Sequence, residues 1–303
     1  MGIEITFRFR ETLANIFKRE IEELGFDTSS LTTSDDVLQS YCSYTYRLIE
    51  KRPRAIYKAT SFACPAEVEI GLKWLEEKIR KGESVNPHLN SATKKDKLDG
   101  LLYDWGIHHL HLGETFSAPG YVKRTGPVLF AIFRKNNVYF IDIRDHVGWS
   151  DKGLLDIVNE NWSELLSIYK MEGVKPETSF DEKEITLLRK SGINTFHELS
   201  AGNSYLPMGG GITSAGTSMM AMQTYVEMIR MLNDIKTNIR ANVKYFVSHV
   251  EPKGHPFRNR SKFVFVCRRY RDEIRFYDVV NNNFWAQTWS CLLYTSPSPR
   301  DPK

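Results

Sequence analysis

A chain of 303 residues with 41% hydrophobic, 12% aromatic and 26% charged side chains can bury a full core, and its aromatic content excludes extensive disorder. No stretch offers the roughly 18–20 continuous apolar residues of a membrane-spanning helix, and the opening residues lack the order of a secretory signal, so a cytoplasmic protein without a membrane partner is expected. The net charge of +4 permits an anionic partner such as nucleic acid, and Cys42, Cys64, Cys267 and Cys291 have neither zinc-ribbon nor disulfide-framework spacing.

The first region, 1–92, reads as mainly helical. The alternation of Ile3, Ile5 and Phe7 predicts a short strand, and Leu13, Ile16, Phe17, Ile21 and Leu24 follow at helical spacing. A second helix begins near Thr33, with Ser34 or Asp35 as its cap, and carries Val37, Leu38, Tyr41, Tyr44 and Leu48 toward Pro53. A third runs from Pro65 through Val68, Leu72, Leu75 and Ile79 to Gly82, which suits a left-handed cap.

A central α+β domain, 93–172, is expected next. A lysine-rich helix over 93–102 delivers the chain to a strand at His108–Leu112. Val128–Ile143 then alternates as a hairpin turning at Asn136 and Asn137, followed by a helix from Asp151 to Tyr169. The region 173–290 holds a helix over Asp181–Lys190, a glycine-rich loop, a long helix from Met219 to about Phe246, and a second hairpin over Lys262–Val280 that turns at Arg271 and Asp272. The class is therefore α+β: a helical N-terminal part, a small central antiparallel sheet, and a C-terminal long helix plus β-hairpin.

Chemistry concentrates on the two central strands. Alternate side chains of a strand share a face, so His109 and His111 lie together on one segment and Asp142, Arg144 and His146 on the other. Histidine exchanges protons near neutral pH and arginine grips phosphate bidentately, a combination suited to metal-independent cleavage of RNA phosphodiesters. In this reading His109 or His111 is the general base, His146 the general acid, Asp142 orients a histidine, and Arg144 holds phosphate with Lys123, Arg124 and Arg134; no cofactor is required. The metal alternative takes His109 and His111, with Asp142 or His146 as the third, as ligands of zinc, manganese or iron, giving a metal-dependent phosphoesterase. The third alternative is a non-enzymatic nucleic-acid- or protein-binding module, with half-buried histidines and an ordinary Asp142–Arg144 ion pair. Asp104, just before the strand, is placed to orient an imidazole, with Trp105 as a core anchor.

Two further features carry charge chemistry. Gly209, Gly210 and Gly211, with Thr213 and Ser214, precede the long helix and read first as a flexible loop capped by Thr213, Ser214 or Thr217, with an anion-binding loop as the alternative. Arg47, Lys51, Arg52, Arg54 and Lys58, interleaved with Tyr46 and Tyr57, form a basic aromatic stretch that either tracks a phosphate backbone or is a solvated helix end.

The segment from Trp105 to His146, a strand, a basic loop and a hairpin ending in Asp142, Arg144 and His146, resembles the sheet core of the RelE/ParE-like toxins. That resemblance implies a toxin of a toxin–antitoxin pair or an anti-phage-defence ribonuclease, with RNA or the ribosome as target and an antitoxin or other protein as partner. The last thirteen residues, 291–303, resemble the translation of a sequencing-adapter read-through, the alternative being a disordered Pro/Ser-rich tail.

Overall fold

The computed structural model describes residues 2–90, 98–117, 120–145, 151–174, 180–199, 202–249, 259–271 and 273–290. Residues 93–97 of the lysine-rich helix expected over 93–102, and the tail from 291, lie outside the described residues; of the remainder, helical structure begins only at Gly100. Strand β1 (Glu4–Phe7) leads into α1 (Phe9–Glu23), whose Phe9, Leu13, Phe17 and Ile21 recur at helical spacing and are buried. Helix α2 (Ser34–Arg47) is capped by Thr33, not by Ser34 or Asp35: Thr33 Oγ1 accepts the Asp36 N–H at 3.1 Å while the Asp36 carboxylate accepts the Thr33 N–H at 2.8 Å. Strand β2 (Ala55–Lys58) precedes α3 (Glu69–Lys81), which ends as expected at Gly82, in the left-handed region at φ 73°.

After a single π-helical turn at Leu101–Trp105 come β3 (His108–His111), β4 (Phe116–Ser117) and β5 (Tyr121–Val122), then the hairpin of β6 (Pro127–Phe133) and β7 (Asn137–Asp145). The hairpin turn needs no positive φ; the Arg134 N–H donates to the Asn137 carbonyl at 2.9 Å. The helix expected over Asp151–Tyr169 is divided at Ser163 into α4 (Gly153–Trp162) and α5 (Glu164–Ser167). Strand β8 (Lys170–Met171), α6 (Glu182–Lys190), β9 (His197–Glu198) and β10 (Ser204–Tyr205) follow. The chain continues through α7 (Met219–His249) and β11 (Lys262–Tyr270) to β12 (Glu273–Asp278) and β13 (Asn283–Ser290). No helix among the described residues is long and apolar enough to cross a membrane.

These elements form a mixed α+β protein of two compact units, one joining the residues up to Thr45 with those from Met222 onward, the other comprising Tyr46–Ala221. The expected boundaries at 92 and 172 both fall inside the second unit. What ties the chain's two ends together is a parallel pairing, β1 on β11, which extends the sheet β1-β11-β12-β13.

The second unit is built on the sheet β2-β7-β6-β3, in which β2 runs parallel to β7 and the other pairs are antiparallel. Both faces are covered. Leu110, Leu129, Ala131 and Phe140 pack with Leu72, Leu75 and Ile79 of α3, while Val128, Phe130 and Ile132 pack with Leu154, Leu155 and Val158 of α4. Helix α3 reaches the sheet because Gly71 has no side chain: a Cβ there would sit 1.7 Å from the Leu112 carbonyl oxygen. Alanine raises helix propensity by about 1 kcal/mol over glycine, but this overlap is with backbone and cannot be relieved by a rotamer change. Gly71→Ala should therefore lower stability by about 1–3 kcal/mol, read from urea unfolding; an unchanged or raised midpoint would refute the close approach.

Candidate functional site

Strand β3 is an edge strand, and its alternation divides four residues between two cores. Leu110, like Leu112 beyond it, enters the α3 side, whereas His109 and His111 share the α4-facing side with Ile107, Val128 and Phe130. His111 is buried, and its Nδ1 accepts the Thr125 N–H at 3.3 Å. A ring accepting at Nδ1 carries its proton on Nε2 when neutral. Thr125 is itself held, its Oγ1 donating to the Pro127 carbonyl at 2.6 Å and accepting the Leu112 N–H at 3.1 Å. His109 is half-buried, with its ring 6.4 Å from that of His111 at 82°.

The register puts Asp142, expected to orient a histidine, and Arg144 on the same face as His109 and His111, yet one strand removed. His109 aligns with Phe130 and then Asp142, and His111 with Val128 and then Arg144, so β6 separates the two sets by about 10 Å. Arg144 Nε donates to Asp142 at 2.6 Å, and Arg144 Nη1 also pairs with Asp151. The guanidinium expected to hold phosphate thus faces two carboxylates. The metal alternative with Asp142 as third ligand meets the same obstacle, because Asp142 lies across β6 from both histidines; among the described residues no three His, Cys, Asp or Glu side chains are grouped to hold a metal ion. His146 lies outside the described residues.

Of the expected phosphate-binding residues, Lys123 and Arg124 are exposed and immediately precede Thr125, so the hydrogen bond to His111 brings them beside the histidine pair. Arg134 does not join them. It follows β6 at its far end, six residues beyond Val128 and about 20 Å along the strand.

The glycine loop has a different task from anion binding. The Gly209 N–H donates to the Asp104 carbonyl at 2.7 Å, that of Gly211 to the Tyr103 carbonyl at 2.8 Å, and that of Gly210 to the Pro207 carbonyl at 3.0 Å. These donors are occupied, so the loop straps the π-helical turn instead of cradling a phosphate. Thr213 bonds Thr217 through both backbone and hydroxyl, and Ser214 is exposed. Three cations of the basic aromatic stretch are engaged within the protein. Arg47 is buried with its Nε on the Tyr103 hydroxyl at 2.5 Å, Arg54 is buried against the carbonyls of Glu50, Arg52 and Arg134, and Lys58 pairs with Glu76 at 2.7 Å.

The cluster that sequence reasoning missed is buried behind this turn. Asp104 accepts from Arg189 Nε at 2.8 Å and meets His197 Nε2 at 2.7 Å; the three residues are 4%, 5% and 1% exposed. The Arg189 guanidinium lies 4.4 Å above the Trp105 ring. Trp105 Nε1 is 3.2 Å from the same His197 nitrogen, which cannot serve both neighbours; with Asp104 ionised, its proton goes to the carboxylate. Asp104 does orient an imidazole, but one 93 residues distant. Burial drives the Asp104 pKa up, and His197 and Arg189 outweigh it to leave the carboxyl below its ordinary range.

Two further buried histidines belong to the same region, His88 beside β3 and His108 at its start. His88 donates from Nδ1 to the His111 carbonyl at 2.8 Å, and His108 lies on the α3 side against Phe133, with ring centroids 5.5 Å apart. Burial pushes both pKa values down to about 4, opposed at His88 by the His111 carbonyl and at His108 by Asp99 and the Arg47 carbonyl. A cavity of about 400 Å³ lined by Lys170, Met171, Asn203 and Ser204 contains none of the residues singled out above. No family model matches this chain, and neither a curated protein nor a solved structure matches it.

Proposed function

We propose that this chain acts on RNA in the cytoplasm and cleaves its phosphodiester bonds without a metal, in the setting of a toxin or an anti-phage-defence protein whose partners are the RNA or ribosome it attacks and an antitoxin or other protein that restrains it. The observation that carries this reading is the His111–Thr125 hydrogen bond, which sets His109, Lys123 and Arg124 around one end of β3. The resemblance of residues 105–146 to the RelE/ParE-like sheet core supports the same substrate.

His109, the more accessible ring, takes the proton of the ribose 2′-hydroxyl as its oxygen attacks phosphorus. The bond to the 5′-oxygen breaks, and that oxygen is protonated by His146, the role the sequence suggests for it. Lys123 and Arg124 supply the positive field for the phosphorane, and the buried His111 positions the loop that bears them.

The test is a mixed RNA pool incubated with the full chain, with and without EDTA, beside His109→Ala. Cleavage should survive the chelator and fall by about 10²–10⁴ in the variant, whose melting temperature should match the parent's. Cleavage abolished by EDTA would replace this reading with a metal-dependent phosphoesterase. A specific observation favours a second reading, a non-catalytic RNA- or protein-binding module: Arg144 is occupied by Asp142 and Asp151, and His111 is sealed from solvent. RNA bound but intact would select it.

A further inference from the structure

The first unit carries, on one face of its sheet, a row in which arginines and aromatic rings alternate. Register fixes which side chains share that face: Arg268 aligns with Arg275, Val266 with Tyr277, Tyr270 with Glu273, and Tyr277 with Phe284 of β13. The opposite face is apolar and buried, formed by Phe263, Phe265, Cys267, Ile274 and Phe276.

The contacts along the open face are continuous. The Arg275 guanidinium lies 3.7 Å from the Tyr270 ring centroid and 5.7 Å from that of Phe284. Phe284 meets Tyr277 at 4.8 Å and 67°, and the Arg268 guanidinium lies 3.8 Å from the Tyr277 ring. The outer rings remain open, Tyr270 at 44% and Phe284 at 50% exposure, and Arg268 and Arg271 are exposed beside them. Among the described residues the carboxylate at this end of the face is Glu273, paired with Arg275 at 3.2 Å.

We infer that this face binds single-stranded RNA, with unpaired bases stacking on Tyr270 and Phe284 and the phosphates held by Arg268, Arg271 and Arg275. The charge is complementary to a polyanion, and the exposed rings distinguish among polyanions. An acidic peptide would use the guanidinium groups and leave the rings idle, and a duplex would hide its base faces, whereas a single strand uses both. The inference takes RNA as its occupant from the reading above, but it stands on a different unit of the chain and requires no catalysis.

The test uses a fluorescein-labelled 2′-O-methyl oligouridylate, which lacks the nucleophile for cleavage, so binding is measured whether or not the chain is a ribonuclease. By anisotropy, the full chain should bind it at least about tenfold more tightly than a duplex of equal length. Tyr270→Ala and Phe284→Ala should each weaken binding about tenfold, and Phe284→Trp should retain it. Arg268→Gln with Arg275→Gln should reduce the slope of log affinity against log salt by about 1.4, from about 0.7 for each phosphate that is no longer neutralised. Because Tyr270 and Phe284 are exposed, their variants should melt with the parent. Binding unchanged in both ring variants overturns the inference, as does no binding by the parent. Equal competition by the duplex or by polyglutamate also overturns it, leaving a surface that reads charge alone. Loss of RNA cleavage in His109→Ala with oligouridylate binding intact supports two separate sites.

Discussion

Asp104→Ala should destabilise the second unit by about 3–5 kcal/mol, the cost of leaving a buried charge without its partner. Arg189 and His197 both terminate on this carboxylate inside the protein, and no solvent is at hand to replace it. An exposed pair sets the contrast: Lys81 and Glu77 touch at 2.6 Å with side chains 58% and 60% exposed, and Glu77→Ala should leave the unfolding midpoint nearly unchanged because solvent screens the pair. The ion pair itself is not the source of the loss. Replacing the set together with apolar residues of similar size, Asp104→Leu with Arg189→Met and His197→Phe, should recover most of it. Urea unfolding followed by tryptophan fluorescence reads the result directly, since Trp105 lies beneath Arg189. A cost below about 1 kcal/mol for Asp104→Ala would mean that water reaches the cluster.

This cluster also marks where the sequence stops being readable. Elements dictated by local periodicity are found where expected: α1, α3, α7, the β6–β7 hairpin and the β11–β12 hairpin all follow their apolar spacing. Pairings made at long range carry no such signal. Strand β2, four residues long, is too short to stand out, and β1, though its alternation is readable, does not announce its partner; they pair in parallel, Ala55 on Asn137 and Glu4 on Lys262, across tens or hundreds of residues. The same holds for the candidate site. Alternation correctly put His109 with His111 and Asp142 with Arg144, but which strand lies between them is a property of sheet order, and β6 is that strand. Asp104 was legible as a side chain seeking an imidazole, but nothing near it pointed to His197. The glycine run is ambiguous in the sequence because free N–H groups and N–H groups bonded to a distant turn look alike there.

Lowering the pH from 7 to 5 should weaken the second unit by about 2 kcal/mol for each of His88 and His108. Both have folded pKa values of about 4 against an ordinary 6.5. Between those values the unfolded chain binds a proton that the buried ring refuses, so stability is fully present above about pH 6.5 and is lost as pH falls toward 4. Each complete shift corresponds to on the order of 3 kcal/mol. Asp99, whose carboxyl is pushed up by burial, works in the opposite sense: the folded state binds its proton more readily and offsets part of the loss at the acid end. Asp104, held below its ordinary range, adds a further loss only below about pH 4. The two windows are therefore separable in a urea titration run at successive pH values. His108→Leu should remove about half of the change between pH 7 and 5, because the leucine has no proton to refuse and suits the apolar α3 side of the sheet. His88 should account for the other half, because the added proton goes to its buried Nε2 while Nδ1 keeps its donation to the His111 carbonyl. A midpoint that stays level from pH 7 to 5 would show that both rings charge without unfolding the unit.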